Sequence, residues 1–243
     1  TRLAFALSML VAFNPASVLV TSLWGQIDAI IALLLVLCAH SLYEKKHLKA
    51  CLIYAAVLLI KPQALLFGPV ILFAFVYDWM KAHDRKSELK KMARGVGAAV
   101  LLFVAAIVPF WGGQGPLWIF DRYLSTATSY AYASVNAFNL FGLLGANWAA
   151  DSGTFLLFSY KVWGFFLIGC VVVASAVFFF KKPDREKLYI VAAFVFAGVF
   201  TLAHNMHERY LFPAIPLLVM AYIELRDKRV LACAAGFTVT LLF

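Results

Sequence analysis

The chain has 243 residues, 64% of them hydrophobic and 14% charged, with a mean hydropathy of +0.89 and a formal net charge of +9. A soluble domain carries about 25% charged residues, so composition excludes a water-soluble globule. Several apolar runs approach the ~20 residues needed to cross a bilayer, which predicts an all-α, polytopic transmembrane bundle; a membrane barrel would alternate instead, and residues 171–180 do not.

The basic residues are clustered. Lys45, Lys46 and Lys49 form one group, residues 81–94 a second, 181–187 a third and 226–229 a fourth; together they hold sixteen of the 21 Lys and Arg. Arg2, Lys61, Arg122, Lys161 and Arg209 stand alone. Topology explains such loops without invoking nucleic acid, and the positive-inside rule places all four in the cytoplasm. Cys38, Cys51, Cys170 and Cys233 lie in apolar runs with no CxxC spacing and no nearby His, so they read as small buried hydrophobes rather than a disulfide framework or a zinc site. The chain opens on Thr1, with no initiator Met and no signal-peptide pattern. The expectation is a single domain forming the later part of a longer protein.

Alternation from the basic loops then orders the segments. Residues 3–13 are a short apolar piece, and residues 14–26 an outer segment that dips into the membrane. Residues 27–42 descend to the cytoplasm. Residues 48–77 begin and end at cytoplasmic loops, so they contain an even number of crossings. Pro62 removes a helix hydrogen bond, which predicts two short helices meeting at Lys61-Pro62-Gln63. Residues 95–110 return outward, and residues 111–160 form a long outer loop in which 118–132 is a candidate interfacial helix. Residues 162–180, 188–203, 211–223 and 230–243 complete the bundle.

This topology puts four polar clusters at one face: Trp24-Gly25-Gln26-Ile27-Asp28, Lys61-Pro62-Gln63, the 111–160 loop, and His204 to Arg209. Lys61 between apolar half-helices costs ~2.5–3.5 kcal/mol on insertion scales. Either its ammonium faces an anion such as a phosphate, or it snorkels to the headgroups. Arg209 suits bidentate phosphate contact, against the alternative of a plain loop with a Glu208–Arg209 pair. His204 and His207, at i and i+3, would share a face on a helix, but two His make a poor metal site, and none is assigned. Asp28 reads equally as a site carboxylate or as a favourable acid in a helix's first turn. Asp121, Arg122 and Tyr123 read as interfacial anchors. There is no P-loop, no GxSxG and no obvious carboxylate pair for acid–base work.

In this order, Asn14-Pro15, Trp24-Gly25-Gln26-Ile27-Asp28, Lys61-Pro62-Gln63, Asn136-Ala137-Phe138-Asn139 and His207-Glu208-Arg209-Tyr210-Leu211-Phe212-Pro213 resemble bacterial glycosyltransferases of the C superfamily. The closest group is the mannosyltransferases related to the second mannosyltransferase of GPI-anchor assembly. The resemblance implies a multi-pass enzyme of the bacterial plasma membrane. Such an enzyme moves a hexose, mannose in the nearest group, from a polyprenyl-phosphate donor to a glycan or lipid-linked acceptor at the extracytoplasmic face, with membrane lipid as surroundings and no cofactor. By the same resemblance Lys61, His207 and Arg209 hold the donor phosphate, while Trp24, Gln26, Asp28 and Gln63 shape the sugar or acceptor end, with His204 and Glu208 beside them. The family's general base is an acidic residue in the first outer loop, which this sequence does not contain, so no catalytic base is assigned. Two other classes fit the composition. A secondary transporter would show internal repeats and polar groups near the membrane midplane; a non-catalytic membrane subunit would lack the acidic loop.

Overall fold

The computed structural model describes residues 2–243, apart from the side chains of Ala127 and Thr128. The chain is 75% helical. Helix α1 (Arg2–Ala12) leads through an Asn14-capped turn into α2 (Pro15–Val18) and a π-helical segment, Leu19–Leu23; the two limbs are bent by 45°. The Asn14 side chain accepts from the Ala16 amide at 2.9 Å and donates to the Thr238 hydroxyl at 2.8 Å, so the Asn-Pro pair starts one helix and ties it to the far end of the chain.

Helices α3 (Asp28–Tyr43) and α4 (His47–Ile60) form a hairpin. A break at Lys61 and a 3₁₀ turn, Pro62–Phe67, precede α5 (Gly68–Lys81). A residue before proline is pushed out of the helical region, and Lys61 is extended, at φ −151° and ψ 117°. The expected two-helix reading of this region therefore holds. Helix α6 spans Arg85–Ile107 and continues as a 3₁₀ turn, Val108–Phe110. Here the reading of residues 81–94 as a loop is corrected. Asp84 caps the helix by accepting from the Lys86 and Ser87 amides, and the charged segment that follows is a good helix former despite its polarity.

In the 111–160 region, α7 (Trp118–Thr128) is followed by β1 (Ser134–Val135), α8 (Leu140–Leu143), β2 (Thr154–Phe155) and β3 (Phe158–Ser159). Then come α9 (Tyr160–Lys181), α10 (Leu188–Leu202), β4 (Met206–His207), α11 (Ala214–Leu225) and α12 (Lys228–Leu242). Strand β1 pairs in parallel with β4, Ser134 opposite Met206 and Val135 opposite His207, while β2 and β3 form a small hairpin.

Among the described residues, three helical stretches are long and apolar enough to cross a membrane, Pro62–Lys81, Arg85–Phe110 and Tyr160–Lys181, and the bent pair Arg2–Ala12 and Pro15–Leu23, counted as one span, makes a fourth. The main core gathers Leu35, Phe67, Phe179, Tyr189, Phe196 and Ile215 from α3, the 3₁₀ turn, α9, α10 and α11. Helix α10 is central and buried along most of its length. By contrast, Leu101 and Val104 on α6 and Phe166, Val173 and Val177 on α9 are exposed, as are Cys170 and Cys233. Only Cys38 and Cys51 therefore fit the expectation of buried cysteines; the other two lie on outward helix faces, where an apolar run carries a residue as readily as in the core.

The helix ends that carry the four basic clusters meet at one end. Arg185 donates to the Leu42 and Tyr43 carbonyls at 2.8 and 3.0 Å and pairs with Asp78, and the Tyr43 hydroxyl donates to Glu224 at 3.1 Å. Asp28, Lys61 and Arg209 lie together at the other end.

Candidate functional site

Asp28 opens α3 and is 2% exposed. One carboxylate oxygen accepts from the Lys61 ammonium, and the other lies 3.6 Å from Arg209 Nε. Lys61 reaches this point because the proline break ends α4 just there. Arg209 reaches it from the 3₁₀ turn Glu208–Leu211 that leads into α11. Arg209 also approaches Glu208 at 3.6 Å. Both cations flank the Tyr210 ring, with Lys61 Nζ 5.0 Å and Arg209 Cζ 5.7 Å from its centroid, a cation–π arrangement. Nε of Arg209 is buried and makes no hydrogen bond among the described residues. A planar fork of donors next to an ammonium is the geometry that takes a phosphate or carboxylate group.

His207, on β4, is buried between the Tyr130 and Tyr210 rings, with centroids at 4.7 and 5.1 Å, and its Nε2 has no partner among the described residues. It lies in the segment between α10 and α11. Burial, together with the nearby Arg209 and Lys61 charges, pulls its pKa down to about 4, so the ring is neutral at physiological pH.

The stretch Asn136 to Asn139 acts as a brace. Asn139 donates to the Ala203 carbonyl at 3.2 Å and accepts from the Gly142 amide at 2.8 Å. Asn136, at φ 53°, accepts from the Trp148 indole at 2.9 Å and bridges to His207. These contacts and the β1–β4 pairing fasten the long loop to the 203–207 segment.

Beside the cluster lies an open cavity of about 1020 Å³. Its walls include Trp24, Asn136, Phe138, Asn147 and Glu208, together with residues 240–243. It is more apolar than polar. Glu208, on its wall and near Arg209, joins the cavity to the cation pair.

Of the residues expected to share a site, Lys61, Asp28, His207, Glu208 and Arg209 come together, and Trp24 shares the adjoining cavity. Four readings are corrected. Asp28 does not line the cavity; it is buried against the two cations, because an uncompensated Lys and Arg side by side would repel. Gln26 turns its amide back to the Trp24 carbonyl at 3.2 Å, and neither it nor Gln63 is on the cavity wall. His204 does not stand with His207. The segment bends at Asn205, at φ 63°, before the strand Met206–His207, rather than forming a helix, and His204 packs into α9 against Phe165, 4.9 Å between centroids, over Gly164. Tyr123 is not a free interfacial anchor, since its hydroxyl donates to the Leu58 carbonyl at 2.7 Å. The site is also less positive than its basic residues imply, because Asp28 and Glu208 stand beside Lys61 and Arg209.

Compared with known proteins, the chain matches no family model, no curated protein and no solved structure.

Proposed function

We propose that this chain is an integral-membrane hexosyltransferase that takes its sugar, mannose in the group it resembles, from a polyprenyl-phosphate donor. In this reading the basic end faces the cytoplasm and the Asp28–Lys61–Arg209 end the extracytoplasmic side of a bacterial plasma membrane, crossed many times. The observation that carries the reading is the pairing of Lys61 and Arg209 on one buried carboxylate, with an Arg209 Nε that makes no hydrogen bond among the described residues, beside a large and mainly apolar cavity. Two cations held side by side at the end of the helices fit a lipid phosphate, whose charge stays near the interface while its chain lies among apolar side chains.

The chemistry is a displacement at the anomeric carbon. The acceptor oxygen forms the new bond, the bond to the phosphate oxygen breaks, and polyprenyl phosphate departs carrying the charge. Lys61 and Arg209 stabilise that charge as it grows. Neutral His207 offers its Nε2 as a hydrogen-bonding group without adding charge. Trp24 and Glu208 contact the sugar or acceptor from the cavity wall. The acceptor's proton goes to a carboxylate outside this set.

The test is transfer of labelled hexose from polyprenyl-phosphate hexose in proteoliposomes. Lys61→Ala and Arg209→Ala are expected to abolish transfer while the protein still inserts and folds; wild-type rates in both variants would remove the assignment.

A further inference from the structure

We infer that the end of the molecule opposite the candidate site carries a divalent transition-metal site, formed by His47, Asp78 and Glu88. These residues come from three helices. His47 opens α4, Asp78 stands in the last turn of α5, and Glu88 lies in the first turn of α6. Their scattered positions form no motif, so only folding brings them together. Gly95 permits the approach. A Cβ there would lie 3.0 Å from Cys51 Sγ and 3.1 Å from the His47 carbonyl, so α6 runs close against the start of α4.

Nε2 of His47 lies 2.7 Å from Glu88 Oε1 and 3.5 Å from Asp78 Oδ2, and the three atoms all fall within 4.8 Å of one another. Ligand atoms bound at about 2.0–2.2 Å around a tetrahedral ion lie about 3.3–3.6 Å apart; Asp78 Oδ2 already stands at that separation from His47 Nε2, and Glu88 Oε1 would draw back from it by less than about 1 Å. The His47 and Asp78 side chains are 2% and 3% exposed, and Glu88 is 12% exposed.

The carboxylates are already oriented from outside. Asp78 Oδ1 accepts from Arg185, and Glu88 Oε2 accepts from Lys91 at 2.9 Å. The remaining oxygen of each faces the imidazole, whose ring is fixed edge-on against Phe75 at 5.1 Å. Such outer contacts are what hold metal ligands in place.

An ion-pair network alone leaves this arrangement incomplete. A single proton on His47 Nε2 can bond Glu88 Oε1, but Asp78 Oδ2 stays buried without a hydrogen bond among the described residues. An unpaired buried carboxylate oxygen is costly. A cation in place of that proton would bond all three atoms at once. One imidazole with two carboxylates suits Mn²⁺, Fe²⁺, Co²⁺ or Zn²⁺ rather than Ca²⁺, which takes six to eight oxygens. The ion would join the ends of α4, α5 and α6.

The experiment uses the purified, tag-free chain in detergent, stripped with a chelator and then titrated with Co²⁺ and, separately, Zn²⁺. The expected result is about one equivalent of Co²⁺ with visible d–d absorption, and a higher melting temperature in Zn²⁺. Glu88→Gln, which keeps the shape of the side chain, should weaken Co²⁺ binding about tenfold or more. His83→Gln, at an exposed histidine nearby, should leave it unchanged. Wild-type protein with neither absorption nor a melting shift overturns the proposal. So does binding that survives Glu88→Gln or is lost in His83→Gln.

Discussion

Asp28 decides how the two cations of the site stand. With its carboxylate shared between Lys61 and Arg209, two like charges can sit at one point without the repulsion they would otherwise feel. Removing a buried partner leaves charge uncompensated, so Asp28→Asn should lower stability by about 1–3 kcal/mol, read as a lower melting temperature in detergent; unchanged melting would contradict the shared-carboxylate account. His207 makes a second prediction with a definite sign. Its native pKa of about 4 lies below the unfolded value of 6.5, so the unfolded chain binds more protons between these limits. Stability is therefore complete above pH 6.5 and falls toward pH 4, by about 2 kcal/mol at pH 5 from this residue. The decline between pH 7 and pH 5 should be shallower in His207→Gln; equal slopes would count against a buried neutral ring. Lys61 and Arg209 were legible from sequence, because an ionisable group between apolar segments is conspicuous. Asp28's role was not, since an acid in a first helical turn already has a local explanation, and its partners lie far along the chain.

Among the elements, the Lys61-Pro62 break follows from proline chemistry and was visible in the residues, as were the apolar helices on either side. Helix α6 began earlier than its apolar run, because Asp84 capping and helix propensity do not depend on hydropathy. The two-residue strands β1 and β4 were invisible, since a parallel pair formed across the 136–205 interval has no periodicity to detect. The placing of His204 also depends on a neighbour: α9 makes room for it at Gly164. A Cβ on Gly164 would lie 2.1 Å from His204 Nδ1 and 2.7 Å from its backbone nitrogen, so moving the side chain alone gives no relief. Gly164→Ala should therefore destabilise by about 1–3 kcal/mol. Gly97→Ala, on α6 with no atom within 4 Å of the new methyl, should be neutral or stabilising by up to about 1 kcal/mol. Thermal melts of the two variants check the pair, and equal effects would contradict the close helix contact.

At the scale of the whole molecule, the outward faces of α6 and α9 need an apolar environment. Leu101 is 70% exposed and Val173 62%, in helices 23 and 22 residues long. The chain should accordingly stay with the membrane pellet through an alkaline carbonate wash and enter solution only with detergent; release by carbonate would contradict the spanning helices. The polarity of the molecule was legible too. The clustering of Lys and Arg separated two ends, and the contacts of Arg185 and Tyr43 join the helix ends that bear the basic clusters at one of them. The cavity was not legible, because its walls come from segments distant in sequence and its lining is mainly apolar. The central claim is that Lys61 and Arg209 together hold a lipid's phosphate. The most direct measurement is equilibrium binding of polyprenyl phosphate against polyprenol of the same length to the purified chain. Charge-assisted hydrogen bonds predict at least about a tenfold preference for the phosphate, lost in Arg209→Gln. Equal binding of the two lipids, or a preference that survives in Arg209→Gln, would contradict it.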